Sequence, residues 1–151
     1  MKLTALFYSA AVLLLTACTQ SQVLPSSVPP LEQVRQYSLV NEQTQESSLL
    51  VVQPFELFDQ RGQRWVQTDG LGAPLARQIL TEKGWQNDGF LPPNAQASRL
   101  FSAILYWQTP EKVRSDLYQN LAVEQYWQIT NLGQQAIIQI KQDKWRVIPL
   151  N

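Results

Sequence analysis

The chain of 151 residues has no histidine, one cysteine and one methionine, and only 16% of it is charged. Without histidine there is no ordinary general base at neutral pH, no Ser-His triad and little basis for a zinc or copper site. A single cysteine, Cys18, rules out an internal disulfide. Neither a Ser-x-x-Lys nor a Gly-x-Ser-x-Gly motif occurs. The pair Gly70-x-Gly72 lacks the third glycine of a dinucleotide fingerprint and runs into Ala73-Pro74. The carboxylates are scattered singly. Asp69 and Asp88 would have to meet to form an acid pair of the glycosidase kind, and turn or cap roles account for each more simply. Twelve basic residues balance twelve acidic ones, so no basic stripe points to nucleic acid. The expectation is a protein that is not an enzyme, with no catalytic residue, cofactor or metal.

What is present begins at the amino terminus. Met1-Lys2 is followed by an apolar run from Leu3 to Leu15, the length of a signal-peptide core and too short to span a bilayer as a helix. Next comes "LTAC", Leu15 to Cys18, which resembles the lipobox of bacterial lipoproteins. The resemblance implies cleavage after residue 17 and diacylglycerol on Cys18, and several acyl chains together make a lasting anchor. Thr19 stands where lipoproteins kept in the inner membrane often carry Asp, which by resemblance implies the outer membrane, facing the periplasm. The Ser, Gln and Pro content of "TQSQVLPSSVPP", Thr19 to Pro30, predicts a flexible tether, leaving a single domain at 31–151.

Within that domain, "SLLVVQPFELF" alternates Leu49, Val51, Phe55 and Leu57 on one face and predicts a strand. "DQRGQ" predicts a turn and "RWVQT" a returning strand, with "QTDGLGAPL" as the next turn. "ARQIL" and "GWQNDGF" pair if the chain turns at Glu82-Lys83-Gly84. Ala97, Leu100, Phe101, Ile104 and Leu105 form a helical stripe, with Asn94 as cap and Pro110 as stop. Thr109-Pro110 also predicts a short second helix carrying Val113 and Leu117 inward. "LAVEQYWQI", "AIIQI" and "KWRVIPL" return to strand patterning, the first with Leu121, Val123, Trp127 and Ile129 on one face. Strands, helices and strands again predict an antiparallel α+β domain. Five tryptophans at intervals of 18 to 22 residues suit either a core or the wall of an apolar cavity.

Three stretches carry a family resemblance. "TDGLG" (Thr68 to Gly72), "LFSAILYWQTP" (Leu100 to Pro110) and "IKQDKWRVI" (Ile140 to Ile148) are similar, in that order, to segments of the LolB-type outer-membrane lipoprotein receptor. More closely, "RWVQTDGLGAPLARQIL" and the stretch from Asp88 to Phe101 resemble a family of uncharacterised bacterial lipoproteins, often encoded near aryl polyene lipid genes. The resemblance implies an incomplete antiparallel β-barrel, a curved sheet covered by one or two helices around an apolar cavity for acyl chains. It implies acyl chains or lipidated cargo as ligand, a periplasmic LolA-like carrier as partner, and Leu71, between Gly70 and Gly72, as a membrane-contact residue. This chain has Gly70 where the receptor's turn has proline.

The expected function is therefore delivery of an acylated or amphiphilic cargo, a lipoprotein or a polyene-type lipid, to the outer membrane. The candidate cavity wall is Val51, Trp65, Phe101, Ile104 and Trp127. The alternative is a lipid-anchored structural adaptor of an envelope complex that has no ligand cavity. Read locally, Leu71 has two possible roles: a loop side chain folded onto the core, or one that meets the membrane.

Overall fold

In the computed structural model, the described residues are 22–151; the expected signal segment and Cys18 lie outside them. In chain order the elements are β1 (Arg35–Asn41), β2 (Ser47–Leu57), β3 (Gln60–Thr68), β4 (Pro74–Thr81), β5 (Gly84–Asn87), α1 (Ala95–Gln108), α2 (Glu111–Leu117), a 3-10 turn (Val123–Gln125), β6 (Gln128–Leu132), β7 (Gln135–Ile140) and β8 (Asp143–Pro149). The eight strands form one curved, unclosed antiparallel sheet in the order β5-β4-β3-β2-β1-β8-β7-β6. The fold is α+β, as the patterning predicts.

The order explains where the helices lie. The chain meanders from β1 outward to β5 at one edge, then enters α1 and α2, and resumes at β6 on the opposite edge. It returns through β7 to β8, which pairs with β1, Leu39 opposite Val147. Antiparallel order puts the β1–β2, β3–β4 and β7–β8 turns at one end of the sheet and the β2–β3, β4–β5 and β6–β7 turns at the other.

The predicted hairpins form, with shorter turns than the turn residues imply. Leu57 pairs with Gln60, so Phe58-Asp59 is the turn and the rest of "DQRGQ" is already β3. Gly62 within it lies so close to β4 that a Cβ there would meet the Leu80 carbonyl oxygen at 1.9 Å, which is why the strand carries glycine. Thr81 pairs with Gly84, as expected for the third hairpin. Strand β1 carries little apolar alternation: Tyr37 and Leu39 are its buried positions, beside Gln36, Ser38 and Val40.

Helix α1 begins and ends where its signals lie. The Asn94 side chain accepts the Ala97 N–H at 3.0 Å. At the other end the Thr109 hydroxyl donates to the Leu105 carbonyl at 2.6 Å just before Pro110. Leu100, Phe101, Ile104 and Leu105 are buried in one core with Leu39, Leu50, Val52, Trp65, Ile138 and Val147 from the strands. Asn94→Ala removes one of the few partners open to the first-turn N–H groups, and a loss of about 1 kcal/mol is expected. A lowered urea midpoint at constant m-value would register it; no shift would mean the first turn is held by packing alone.

Three expectations are corrected. The inward face of β2 carries Leu50 and Val52, so Leu49, Val51, Phe55 and Leu57 share the outer face. Phe55 is nonetheless covered there, by the Arg64 guanidinium 5.0 Å from its ring. The strand reads apolar on both faces over Leu49 to Val52, and alternation alone does not choose between them. Helix α2 forms but buries none of its residues: Val113 is exposed and Leu117 only partly covered. Val123 and Trp127 are joined by a helical-type turn, Trp127 N–H to Val123 carbonyl at 3.2 Å, which leaves Leu121 exposed. Their spacing of four fits one turn of helix as well as it fits a strand.

The segment 22–30, expected as tether, lies against the domain. Val23 is buried in the core cluster and Val28 packs on it. The Ser26 N–H donates to the Leu117 carbonyl at 2.7 Å, and the Pro29 carbonyl accepts from Gln63 Nε2 at 2.6 Å. Two valines and backbone groups with partners in the domain outweigh a composition that reads as linker.

Candidate functional site

A cavity of about 550 Å3 lies between α1, the segment before β6 and the far end of β7. Helix α1 contributes Ala95, Ser98, Arg99 and Ser102, with Pro93 just before it. These four occupy positions i, i+3, i+4 and i+7, a second stripe beside the large apolar one. The small side chains of Ala95, Ser98 and Ser102 leave room there that leucine would fill. Opposite stand Gln125, Tyr126 and Trp127, with Ile140 and Lys141 at the β7–β8 turn.

The amino-terminal segment completes the wall. Gln22 donates from Nε2 to the Ser98 carbonyl at 2.8 Å and to the Ser102 hydroxyl at 2.9 Å, and Val23 lies beside it. Ser98 is held from the sheet side by Gln78, and its own hydroxyl donates to the Asn94 carbonyl at 2.9 Å. The walls are mostly apolar, with Arg99 and Lys141 as the cationic lining residues and no carboxylate among the lining residues. The Trp127 indole N–H has no hydrogen-bond partner among the described residues. Such a chamber suits an apolar chain with few polar contacts, and its volume falls within the roughly 300–1,000 Å3 of ordinary ligand sites.

Of the anticipated wall residues, Trp127 alone lines this cavity. Trp65, Phe101 and Ile104 are fully buried in the core. Trp65 stacks among aromatics, 5.4 Å from Trp85 and 5.5 Å from Phe101 between ring centroids. Val51 is half-buried on the opposite face of the sheet. These large residues fill space with each other, and a void needs smaller neighbours. In the sequence the lining stripe of α1 stands as Ala95, Ser98, Arg99 and Ser102 at helical spacing, three of them small, beside the large apolar stripe.

The turn at Leu71 is built by Asp69. Its carboxylate accepts the Leu71 and Ala73 N–H groups, each at 2.9 Å, while its own N–H donates to the Ala73 carbonyl at 2.9 Å. Gly72 adopts φ +87°, a conformation open to glycine without strain. Gly70 has free space around it. Leu71 is 97% exposed, so the version in which it folds onto the core is excluded.

Asp69 and Asp88 each have structural partners. Asp88 accepts a hydrogen bond from Arg77 at 3.1 Å and forms an ion pair with Arg64 at 2.8 Å. Burial pushes the phenol pKa values of Tyr37 and Tyr118 up, and neither residue lines the cavity. Arg114 closes the outside of α1 by donating to the Thr109 carbonyl at 2.8 Å while lying over the Tyr106 ring at 4.6 Å.

The chain matches no protein-family model, no curated protein and no solved structure.

Proposed function

We propose that the protein is a lipid-anchored, periplasm-facing component of the outer membrane that takes the acyl part of a cargo into the α1 cavity and helps deliver it to that membrane. In this view it is not an enzyme. The sheet is an incomplete barrel, with β5 and β6 as its unpaired edges and α1 packed into its core. The observation that carries the proposal is the chamber of about 550 Å3 with mostly apolar walls. Water is expelled when an acyl chain enters, at roughly 25 cal/mol per Å2 of apolar surface, and the bilayer offers the same gain on release. Transfer then needs no chemical energy, only proximity to the acceptor membrane. The lipobox-like "LTAC" supplies that proximity, and the exposed Leu71 turn supports membrane contact. Among the described residues no helix is long and apolar enough to cross a membrane.

The test is native mass spectrometry of the secreted Cys18→Ser chain, purified without detergent. Acyl-bearing species bound one per chain are expected. Ala95 is an exposed lining residue in the first turn of α1. Ala95→Trp should narrow the chamber and reduce occupancy on the order of tenfold, the effect of about 1.4 kcal/mol of lost packing. Absence of any bound acyl species, together with failure to take up cargo from a periplasmic carrier, would overturn the proposal. A stable protein partner in pull-downs without lipid would instead favour the adaptor.

A further inference from the structure

Leu71 is not alone at its end of the domain. Phe90, in the loop between β5 and α1, is fully exposed. That loop is held next to the start of β4: the Asp88 N–H donates to the Arg77 carbonyl at 3.1 Å, and Asn94 Nδ2 donates to the Leu75 carbonyl at 3.4 Å. Strand β4 starts at Pro74, immediately after the Leu71 turn, so the two loops are neighbours and partly exposed Leu75 lies between them.

The cavity belongs to the same end. Pro93 and Ala95 follow Phe90 in the same loop and the first turn of α1, and Lys141 sits in the β7–β8 turn, which shares an end with the β3–β4 turn. Gln22, on the cavity wall, fixes where the chain arrives from residue 18. Four residues of fully extended chain span at most about 14 Å, so an anchor on Cys18 cannot stand far from this end. Of the carboxylates at this end, Asp69 is engaged by turn N–H groups, Asp88 by two arginines and Glu42 by Arg146, while Glu46 and Asp143 stand in the β1–β2 and β7–β8 hairpins. Exposed Lys141 is available for lipid headgroups.

We propose that Phe90 is a second membrane-inserting side chain, and that with Leu71 it sets the cavity-bearing end of the domain against a phospholipid bilayer. This rests on the lipid-anchored reading above. Two separated apolar tips and the anchor on Cys18 make three points of attachment, which together fix the tilt of the domain. The cavity is thereby presented to the surface its ligand must enter.

The test uses the full chain in vesicles of phosphatidylethanolamine and phosphatidylglycerol that contain acyl chains bearing a nitroxide quencher. Phe90→Cys, Leu71→Cys and Phe58→Cys are each labelled with an environment-sensitive fluorophore. Phe58 is 92% exposed in the β2–β3 turn at the opposite end and is the control. Labels at positions 90 and 71 are expected to shift to the blue and to be quenched by lipid several-fold more than the label at 58. Equal quenching at 90 and 58 overturns the proposal. So does protection of position 90 from aqueous iodide without quenching by lipid, because a protein then covers the loop.

Two separate measurements distinguish this from failure of the underlying function. If mass analysis finds Cys18 acylated and the cavity holds its acyl ligand while position 90 is not quenched, the orientation is wrong and the function stands. If Cys18 is not acylated, its free thiol labels as a second site, and both proposals fall.

Discussion

Trp65→Ala is expected to cost about 3–5 kcal/mol of folding stability, the range for removing a large aromatic from a packed core. Domains of this size are stable by only about 5–15 kcal/mol, so a large share of the chain should unfold under mild denaturant. The reason is the position of the indole. Trp65 is fully buried at the middle of β3, edge-on to Trp85 and against Phe101 from α1, so it joins the sheet to the helix. Its N–H donates to Gln63 Oε1 at 3.1 Å, and Gln63 in turn holds the Pro29 carbonyl. Alanine would empty the contact and leave a buried glutamine oxygen without its donor, a second penalty on top of the cavity. Urea denaturation followed by far-UV circular dichroism measures the loss. A change below about 1 kcal/mol would mean that the aromatic cluster is not what fastens α1 to the sheet.

Leu71→Glu should do the opposite, leaving stability within about 0.5 kcal/mol and removing delivery. The side chain is 97% exposed and the turn is built by Asp69 and the backbone, so no packing is lost. A leucine that enters an apolar phase gains roughly 1.5–3 kcal/mol, and a glutamate forfeits that gain. Transfer of cargo to acceptor vesicles should slow roughly ten- to hundredfold, since each 1.4 kcal/mol is a factor of ten. The variant should still carry ligand in the cavity. Unchanged transfer would remove Leu71 from the delivery step, and an unfolded variant would contradict its exposure.

These two residues show how unevenly the sequence exposes its own structure. The α1 stripe announces burial by its spacing and is buried, whereas Trp65, expected in a cavity wall, is buried in the core with it. Leu71 is a leucine among turn residues, and no local pattern says whether such a side chain folds in or points out. Val51 shows the limit of alternation: with Leu49 to Val52 apolar without a break, parity had to be chosen, and the partners of β2 placed Leu50 and Val52 inward. The cavity was harder still, because an empty space is defined by elements that meet from far apart in the chain. Gln22, Ser98, Trp127 and Ile140 share no segment.

Local chemistry by itself determined most of the elements, but not β1 or the turn at Val123. Asn94 and Pro110 bracket α1, the period of the apolar residues separates helix from strand, and short turns between apolar runs dictate antiparallel hairpins. Only the tertiary structure decided what goes inside. Gln63, Gln67 and Gln78 are buried, which composition reads as surface, because Pro29, Ser48 and Ser98 arrive from three other segments to bond them. A buried amide is tolerable when it has partners and costly when it does not. Those partners exist only once β2 has paired with β3 and the segment 22–30 and α1 have closed on the sheet.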